Sequence, residues 1–463
     1  MIVAGEKNLA ELVAYLHTVQ YEDLPEDVVE RCIDVLLDTL GCIMGGASTD
    51  LGAAFIRLTE DVAGSGTSSA IGLARRVDAA SAAFCNAALS DALDYQDTLF
   101  GHPSATIVPA TLAVGELVGA TGREIVAAIA CAYDISVRIG MAIEPSPERG
   151  REVAVHFAWL VFGAAAAAAK LLRLSPAQSL DAFGYAGASS SLPIWITKWQ
   201  RPLHWMKNNM QDQARAGVMG AFAARAGVRG PRTILDSDLG FWKMVGSDRY
   251  DSTRLHDRLG SRYLILETHF KPFPACRWTH TIIEAAQRLR DEHALASTDI
   301  EDVLVAISEE TTEWFFDPHP RTLVDAEFSL PYVVAAALCG ITPGPQWYRP
   351  ETLRDPALLQ VAGRVRVVPL SSIDANMALR GKLPCEITIR LKGGREVHAA
   401  HAGPLGSPER PLNRAALQEK FIRQAEPALG LQGAGEIWDI GRALPKVSNI
   451  RDWTALLEAE PYS

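Results

Sequence analysis

The sequence predicts a mainly α protein: a large all-helical domain built from both chain ends, with a smaller α+β unit inserted into it. Three observations lead there. Apolar residues recur at helical spacing through the first two-thirds of the chain and again near its C-terminus. Alanine and glycine dominate the faces of those helices, which lets backbones approach closely. After about residue 266 the texture changes to short β-type runs between helices, until about residue 401. The chain has 463 residues, too long for one ordinary core. The predicted division is therefore 1–266 plus 402–463 for the helical domain and 267–401 for the α+β domain.

The elements follow in order. Leu9, Leu12, Val13 and Leu16 make one helical stripe. The next helix opens at LPEDVVE, where Pro25 suits a first helical position and Glu26 and Asp27 suit the positive end of the dipole. Val29, Cys32, Ile33, Leu36 and Leu40 continue its buried face, and Gly41, Gly45 and Gly46 are expected to stop it. Further helices are expected at about 76–95, 108–119, 122–139, 155–172, 176–187 and 209–227. In the α+β unit, VLVAIS (303–308) and VRVVPL (365–370) read as strands, and CEITIRLKGGREVHAAH (385–401) as a hairpin turning at Gly393 and Gly394. Helices intervene at 279–291 and 329–340. Leu417, Phe421, Ile422 and Ala425 restore a helical stripe at the end.

Composition excludes several function classes. A formal net charge of −11 with no long basic run is unsuited to binding nucleic acid, because phosphate neutralisation needs clustered Lys and Arg. Seven cysteines, an odd number at wide spacing without CxxC, argue for a reducing compartment and hence a cytoplasmic protein. The same spacing argues against a zinc or iron–sulfur site. The N-terminus lacks the layout of a cleavable signal. The most apolar run, 153–172, approaches bilayer length, but His156 and its alanine block read as a core helix, so no membrane insertion is expected.

Five places could carry chemistry. In DALDYQDTLFGHPSATIVPA (91–110), Asp91, Asp94 and Thr98 would share a helix face with Asp97 close by. Gly101 and Pro103 then break the chain, Ser104 can cap the next helix, and His102 sits at the mouth of its positively polarised N-terminus. Pro109 either kinks that helix or marks its true first turn. The plain alternative is that the acids cap helices or pair with arginines. Lys207, or Lys198 nearby, is a lysine at the edge of a core-like helix, where burial would perturb it; a solvated helix-end lysine is the commoner case. In KPFPACRWTH (271–280), two prolines aim Lys271 away from the following helix, and Arg277 and His280 lie close. Cys276 there reads as a structural thiol, since no activating base and oxyanion motif surround it. Ser329 and Tyr332 precede an apolar helix, and His156 interrupts another.

The order of these blocks is more specific than any one of them. YEDLPEDVVERCIDVLLDTLGCIMGG, DALDYQDTLFGHPSATIVPATLA, GAAAAAAKLLRL, ARAGVRGP, KPFPACRWTH and AEFSLPY together resemble the MmgE/PrpD family over nearly the whole chain. That family includes 2-methylcitrate dehydratase, cis-aconitate decarboxylase and iminodisuccinate epimerase. The resemblance implies a helical domain with an α+β lid, a homodimer, a site between the domains, and no metal or organic cofactor. It implies Asp94, Thr98, His102, His156, Lys207, Lys271 and Tyr332 as catalytic residues. Ser104, Arg201, Arg277 and His280 would contact a di- or tricarboxylate substrate. The shared chemistry is proton movement at a carbon beside a carboxylate, with lysines stabilising the anionic intermediate. The leading expectation is a lyase dehydrating a 2-methylcitrate-like hydroxy-polycarboxylate. An epimerase of an imino- or hydroxy-dicarboxylate, a cis-aconitate-type decarboxylase and a non-catalytic homologue are the alternatives. Two departures stand in the signature: Asp91 replaces a usual histidine and Gln96 a usual aspartate. The loop before His102 is also short, and the His156 helix lacks the usual Pro-Thr.

Overall fold

The computed structural model describes residues 6–457 except 151, 154, 156, 192–206, 237 and 371–382. Its chain is mainly helical, with a short extended segment β1 (Ser65–Ser68) and one four-stranded sheet. Buried apolar residues fall into two clusters. One gathers side chains from Leu9 to Phe270 and from Leu417 to Leu457; the other is built mostly from Phe273 to Ala399.

The first cluster is a stack of helices: α1 (Lys7–Thr18), α2 (Glu26–Ala47), α3 (Asp50–Val62), α4 (Ala79–Asp91), α5 (Ser104–Val118), α6 (Gly122–Ala142), α7 (Leu160–Leu171), α8 (Pro176–Ala188) and α9 (Met210–Arg225). Local capping sets several starts. Thr121 and Glu124 form a capping box at α6, and Ser175 and Gln178 form another at α8, where Pro176 takes the first helical position. Asp78 accepts from the Ser81 N–H at the start of α4.

The glycines expected to stop α2 do not stop it; the helix runs on to Ala47. They serve contact instead. A Cβ on Gly46 would lie 1.9 Å from the Leu89 carbonyl oxygen of α4, and one on Gly45 would lie 2.7 Å from Gln424. Gln424 belongs to the C-terminal helix α12 (Arg414–Arg442), which returns against α2. Tertiary packing here overrides the weak helix propensity of glycine. α5 begins at Ser104 and carries Pro109 inside it, so the proline is not its first turn.

In the second cluster, β2 (Ile300–Ile307), β3 (Val365–Pro369), β4 (Cys385–Leu391) and β5 (Glu396–His401) order as β3-β2-β4-β5. β2 pairs parallel with β3 (Val303 opposite Val365) and antiparallel with β4 (Val305 opposite Ile387). β4 and β5 form the expected hairpin, with Gly393 and Gly394 at φ 92° and 85°. Cys385, Ile387, Ile389 and Leu391 alternate inward along β4. α10 (His280–His293) packs on β4 and β5, and α11 (Leu330–Leu338) packs on α10.

α6 is long and apolar enough to cross a membrane by length and composition, yet 94% of its apolar window is buried inside the helical stack. The expected 155–172 helix is the shorter α7, whose alanines are buried in the same stack. All seven cysteines are free thiols.

Candidate active site

The signature segment does not continue α4. The helix ends at Asp91, and Asp94 adopts φ 46°, a left-handed conformation that Asp tolerates better than most residues. Asp91, Asp94 and Thr98 therefore do not share a helix face; a turn brings the acids together. Cross-chain bonds hold that turn. Thr98 exchanges backbone hydrogen bonds with His269 at 2.9 and 3.0 Å, and the Tyr95 hydroxyl donates to the Pro272 carbonyl at 2.9 Å. Lys271 is thereby delivered beneath Asp94.

Asp94 is the hub. The Lys271 ammonium donates to its backbone carbonyl at 2.6 Å and to Oδ2 at 2.9 Å. His102 Nε2 lies 3.5 Å and Lys207 Nζ 3.8 Å from Oδ1. Lys207 in turn donates to Glu327 Oε2 at 2.5 Å. All these side chains are nearly sealed from solvent: Lys271 and Glu327 are 0% exposed, Asp94 2% and Lys207 3%. Burial alone would raise the Asp94 carboxyl, but Lys271, Lys207 and His102 together hold it well below the usual carboxylate range. Burial would lower Lys207, but Glu327, Asp91 and Asp94 outweigh it and keep the proton on nitrogen.

The orientation of His102 follows from its partners. Nδ1 lies 2.6 Å from the Asp97 carbonyl, which can only accept, so Nδ1 carries a hydrogen. Nε2 faces the ionised Asp94 at 3.5 Å. Phe157 stacks on the ring at 5.6 Å. The ring is thus fixed by its Nδ1–H, with Nε2 turned towards Asp94.

Two neighbours of this hub have different tasks. Asp97 accepts from Ser104 Oγ at 2.7 Å, from the Ser104 N–H at 3.3 Å and from the Tyr133 hydroxyl. Burial pushes its carboxyl up to about 7, against the bonds from Ser104. Ser104 does not cap α5 with its side chain; Pro103 is the cap residue and the Ser104 hydroxyl is spent on Asp97. That positions the loop and gives no donor to a substrate. Asp91 accepts from Asn208 Nδ2 at 3.0 Å and from Gln96 Nε2 at 2.5 Å. Burial raises its pKa, with Lys207 opposing.

Arg277 is 5% exposed, and burial lowers its pKa to about 9, with the Glu284 carboxylate opposing and Arg410 adding to the shift. It donates to the Leu405 carbonyl at 2.7 Å and to Nδ1 of His280 and of His269 at 3.3 Å each, leaving Nε without a partner. His280 donates from Nε2 to the Ala275 carbonyl at 2.9 Å. Burial, then Arg277 and Lys271, hold His280 well below its usual pKa, so it is neutral. The Thr98 hydroxyl is buried with no hydrogen-bond partner.

Tyr332 is not brought to the hub. Its hydroxyl donates to the Trp347 carbonyl within the second core. His156, Arg201 and Lys198 lie outside the described residues. Sequence reasoning missed Glu327, although it stands in the quoted AEFSLPY block. The available signal was a carboxylate just before the apolar helix that opens at Leu330.

Among the described residues, no group of three or more His, Cys, Asp or Glu stands close enough to hold a metal. A cavity of about 480 Å³ elsewhere in the helical stack is lined by residues such as His17, Tyr21, Arg123 and Lys170. Its charges are satisfied locally, by Arg123–Glu22 and Arg173–Glu124 pairs, and no hub residue reaches it. Beside the hub, a space of about 10 Å³, enough for one water, is lined by Asp91, Lys207, Asn209 and Gln211.

Family models match both halves of the chain: the MmgE/PrpD N-terminal domain over residues 10–253 and the MmgE/PrpD C-terminal domain over 273–445. Among curated proteins, the cis-aconitate decarboxylase of Homo sapiens is 26% identical over 94% of this chain and 90% of its own length. That of Mus musculus is 26% identical over 89% of this chain and 86% of its own. That of Aspergillus terreus (strain NIH 2624) is 23% identical over 97% and 95%. The ordered blocks, the buried Asp94–Lys271–His102–Lys207 hub and the two matching models agree: the chain belongs to the MmgE/PrpD family.

Proposed function

We propose that the protein is a lyase that needs no added cofactor and breaks a bond next to a carboxylate, with decarboxylation of a small unsaturated polycarboxylate as its reaction. The observation that carries this reading is His102, held between the Asp97 carbonyl and Asp94 with two buried ammonium groups on the same carboxylate. The carbon–carboxylate bond breaks, CO2 leaves, and the electron pair moves into the conjugated system. His102 Nε2 then protonates carbon and regains its proton from solvent. Lys271 and Lys207 stabilise the transient negative charge in a site screened from water. The names of the relatives support the same reaction class.

A second reading, dehydration of a 2-methylcitrate-like hydroxy-polycarboxylate, is favoured by Glu327, a further carboxylate on Lys207. There His102 would protonate the leaving hydroxyl and a carboxylate would take the α-proton. Epimerisation would use the same pair on opposite faces. As in the resemblance, a homodimer is the proposed working form, checked by light scattering.

The test is NMR of the purified protein in D2O with cis-aconitate, 2-methylcitrate, citrate and iminodisuccinate. Loss of CO2 with one deuterium on carbon supports decarboxylation. Loss of water supports dehydration. α-Deuteration without net loss supports epimerisation. Turnover must vanish in His102→Ala and Lys271→Ala; activity surviving in both rejects this site. A protein inert towards every carboxylate supports the non-catalytic homologue.

A further inference from the structure

A second buried ion pair stands behind the Asp94 hub. Asp38 lies on α2 and Lys420 on α12, with Lys420 Nζ 2.7 Å from Asp38 Oδ1. Both residues are 4% exposed. The pair lies within reach of the hub's charges. Burial raises the Asp38 carboxyl, with Lys420 opposing and Lys271 adding to that opposition, and Asp38 in turn acts to raise Asp97. A buried ion pair is by itself weak evidence for stability, so the contacts that Lys420 makes beyond Asp38 are the informative ones.

Those contacts fall on Tyr95, the residue after Asp94. Lys420 Nζ donates to the Tyr95 carbonyl at 2.7 Å and stands 4.1 Å from the centroid of its ring. Lys271 takes the preceding carbonyl, that of Asp94, at 2.6 Å. Two successive carbonyls of the left-handed turn are thus each met by a buried lysine from a distant part of the chain. A buried carbonyl without a donor loses the free energy of its hydration, so each lysine favours this turn over any that leaves the carbonyl unmet. Tyr95 also passes the hold on. Its hydroxyl donates to the Pro272 carbonyl at 2.9 Å, beside Lys271. Through Tyr95, one lysine side chain therefore acts on the backbone of both partners of the Asp94–Lys271 pair.

We propose that Lys420 is a positioning residue for the reaction: anchored by Asp38, it clamps Tyr95 and so sets Asp94 in register with Lys271 and His102. It acts through Tyr95 and not on the substrate. The C-terminal helix thereby tunes a hub whose own residues come from other elements. A displacement of about 1 Å at such a site can cost on the order of 10²-fold in rate, which is what the clamp prevents. The catalytic half of this inference rests on the reading above that the hub does the chemistry; the clamp on the turn does not.

Two variants of the full chain separate positioning from fastening. Lys420→Met keeps the length of the side chain and removes the clamp. Asp38→Asn keeps the clamp and leaves an oxygen for Lys420. Circular dichroism gives the folded fraction of each. With whichever carboxylate of the panel the wild type turns over, Lys420→Met should lower kcat by roughly 10²-fold and leave KM within about threefold. Asp38→Asn should hold kcat within about twofold. Hydrogen exchange read by mass spectrometry needs no substrate. Residues 92–99 include the Thr98 amide bonded to His269, and they should exchange about tenfold faster in Lys420→Met, while α2 exchanges as it does in Asp38→Asn. A wild-type kcat in Lys420→Met overturns the proposal, as does an equal loss in both variants, which marks a mere fastening of α2 to α12. If Lys420→Met does not fold, Tyr95→Phe takes its place, since it breaks only the bond to Pro272: kcat should fall about tenfold, and an unchanged kcat overturns the proposal. A wild type inert towards every carboxylate removes the reading above. Exchange then decides alone, and equal rates at 92–99 in Lys420→Met and the wild type overturn the clamp.

Discussion

Two buried ionic clusters lie within the same chain and behave oppositely. In the helical stack, Asp134 on α6 accepts the Leu264 N–H at 2.7 Å and the Tyr15 hydroxyl at 3.2 Å, with Arg138 at 3.5 Å. Arg138 sends its two terminal nitrogens to the carbonyls of Asp257 and Arg262, at 2.6 and 3.0 Å. Both Asp134 oxygens and both terminal nitrogens of Arg138 are spent on fixing loops and α1 to a helix, and Arg138 Nε is the atom left without a hydrogen bond. At the Asp94 hub the ions are as deeply buried, yet acceptors and a donor stand unmatched around them. The first cluster is a fastening. In the second, the function proposed above would assign the unmet hydrogen bonds to a substrate, and burial makes each unmet bond count more.

The comparison can be broken by cutting each cluster once. Arg138→Met should lower unfolding free energy by about 3–5 kcal/mol, since it strands a buried carboxylate, and leave kcat/KM of the folded fraction within about twofold. Denaturant melts and steady-state kinetics on one preparation check both. Lys271→Ala should do the reverse in emphasis: kcat/KM falls by roughly 10²–10³, the scale for removing one preorganised charge at a reacting centre. If Lys271→Ala melts the protein without touching turnover of what remains folded, the two clusters are alike and the site is misplaced.

Smaller effects sharpen the picture of how the signature loop is held. Gly46→Ala should cost about 1–3 kcal/mol by thermal melts, because its Cβ would press on the Leu89 carbonyl of α4, the helix that leads into Asp91. A further expected effect is a pH dependence. Asp97 titrates near 7 in the folded protein but near 4 when unfolded, so between those values the native state retains a proton that the unfolded chain releases. Its contribution therefore makes stability fall as pH rises from about 4 to about 7, by less than the ~1.4 kcal/mol per pH unit that one proton allows. Subtracting the melting curve of Asp97→Asn from that of the wild type, pH by pH, should expose this slope. A difference that stays flat would mean that Tyr133 and Ser104 keep Asp97 ionised throughout.

The sequence by itself determined the class of the fold, the helical body, the sheet strands and the hairpin turn. Each rests on local physics: apolar periodicity, caps at Thr121 and Ser175, and glycines that alone tolerate the turn at 393–394. It also placed Asp94, His102, Lys207 and Lys271 on the page as site residues. The tertiary structure alone decided how they are arranged. No spacing rule makes Asp94 leave its helix in a left-handed turn, and the partner that meets it there, Lys271, lies 177 residues away in the chain. No local signal spends Ser104 on Asp97, turns Tyr332 into the second core, or sets Glu327 against Lys207 across 120 residues. The glycines of α2 make the same point. Read locally they break a helix, but packed against Leu89 and Gln424 they permit one. Propensity and periodicity are properties of neighbours in sequence, whereas hydrogen-bond partners and buried charges are properties of neighbours in space.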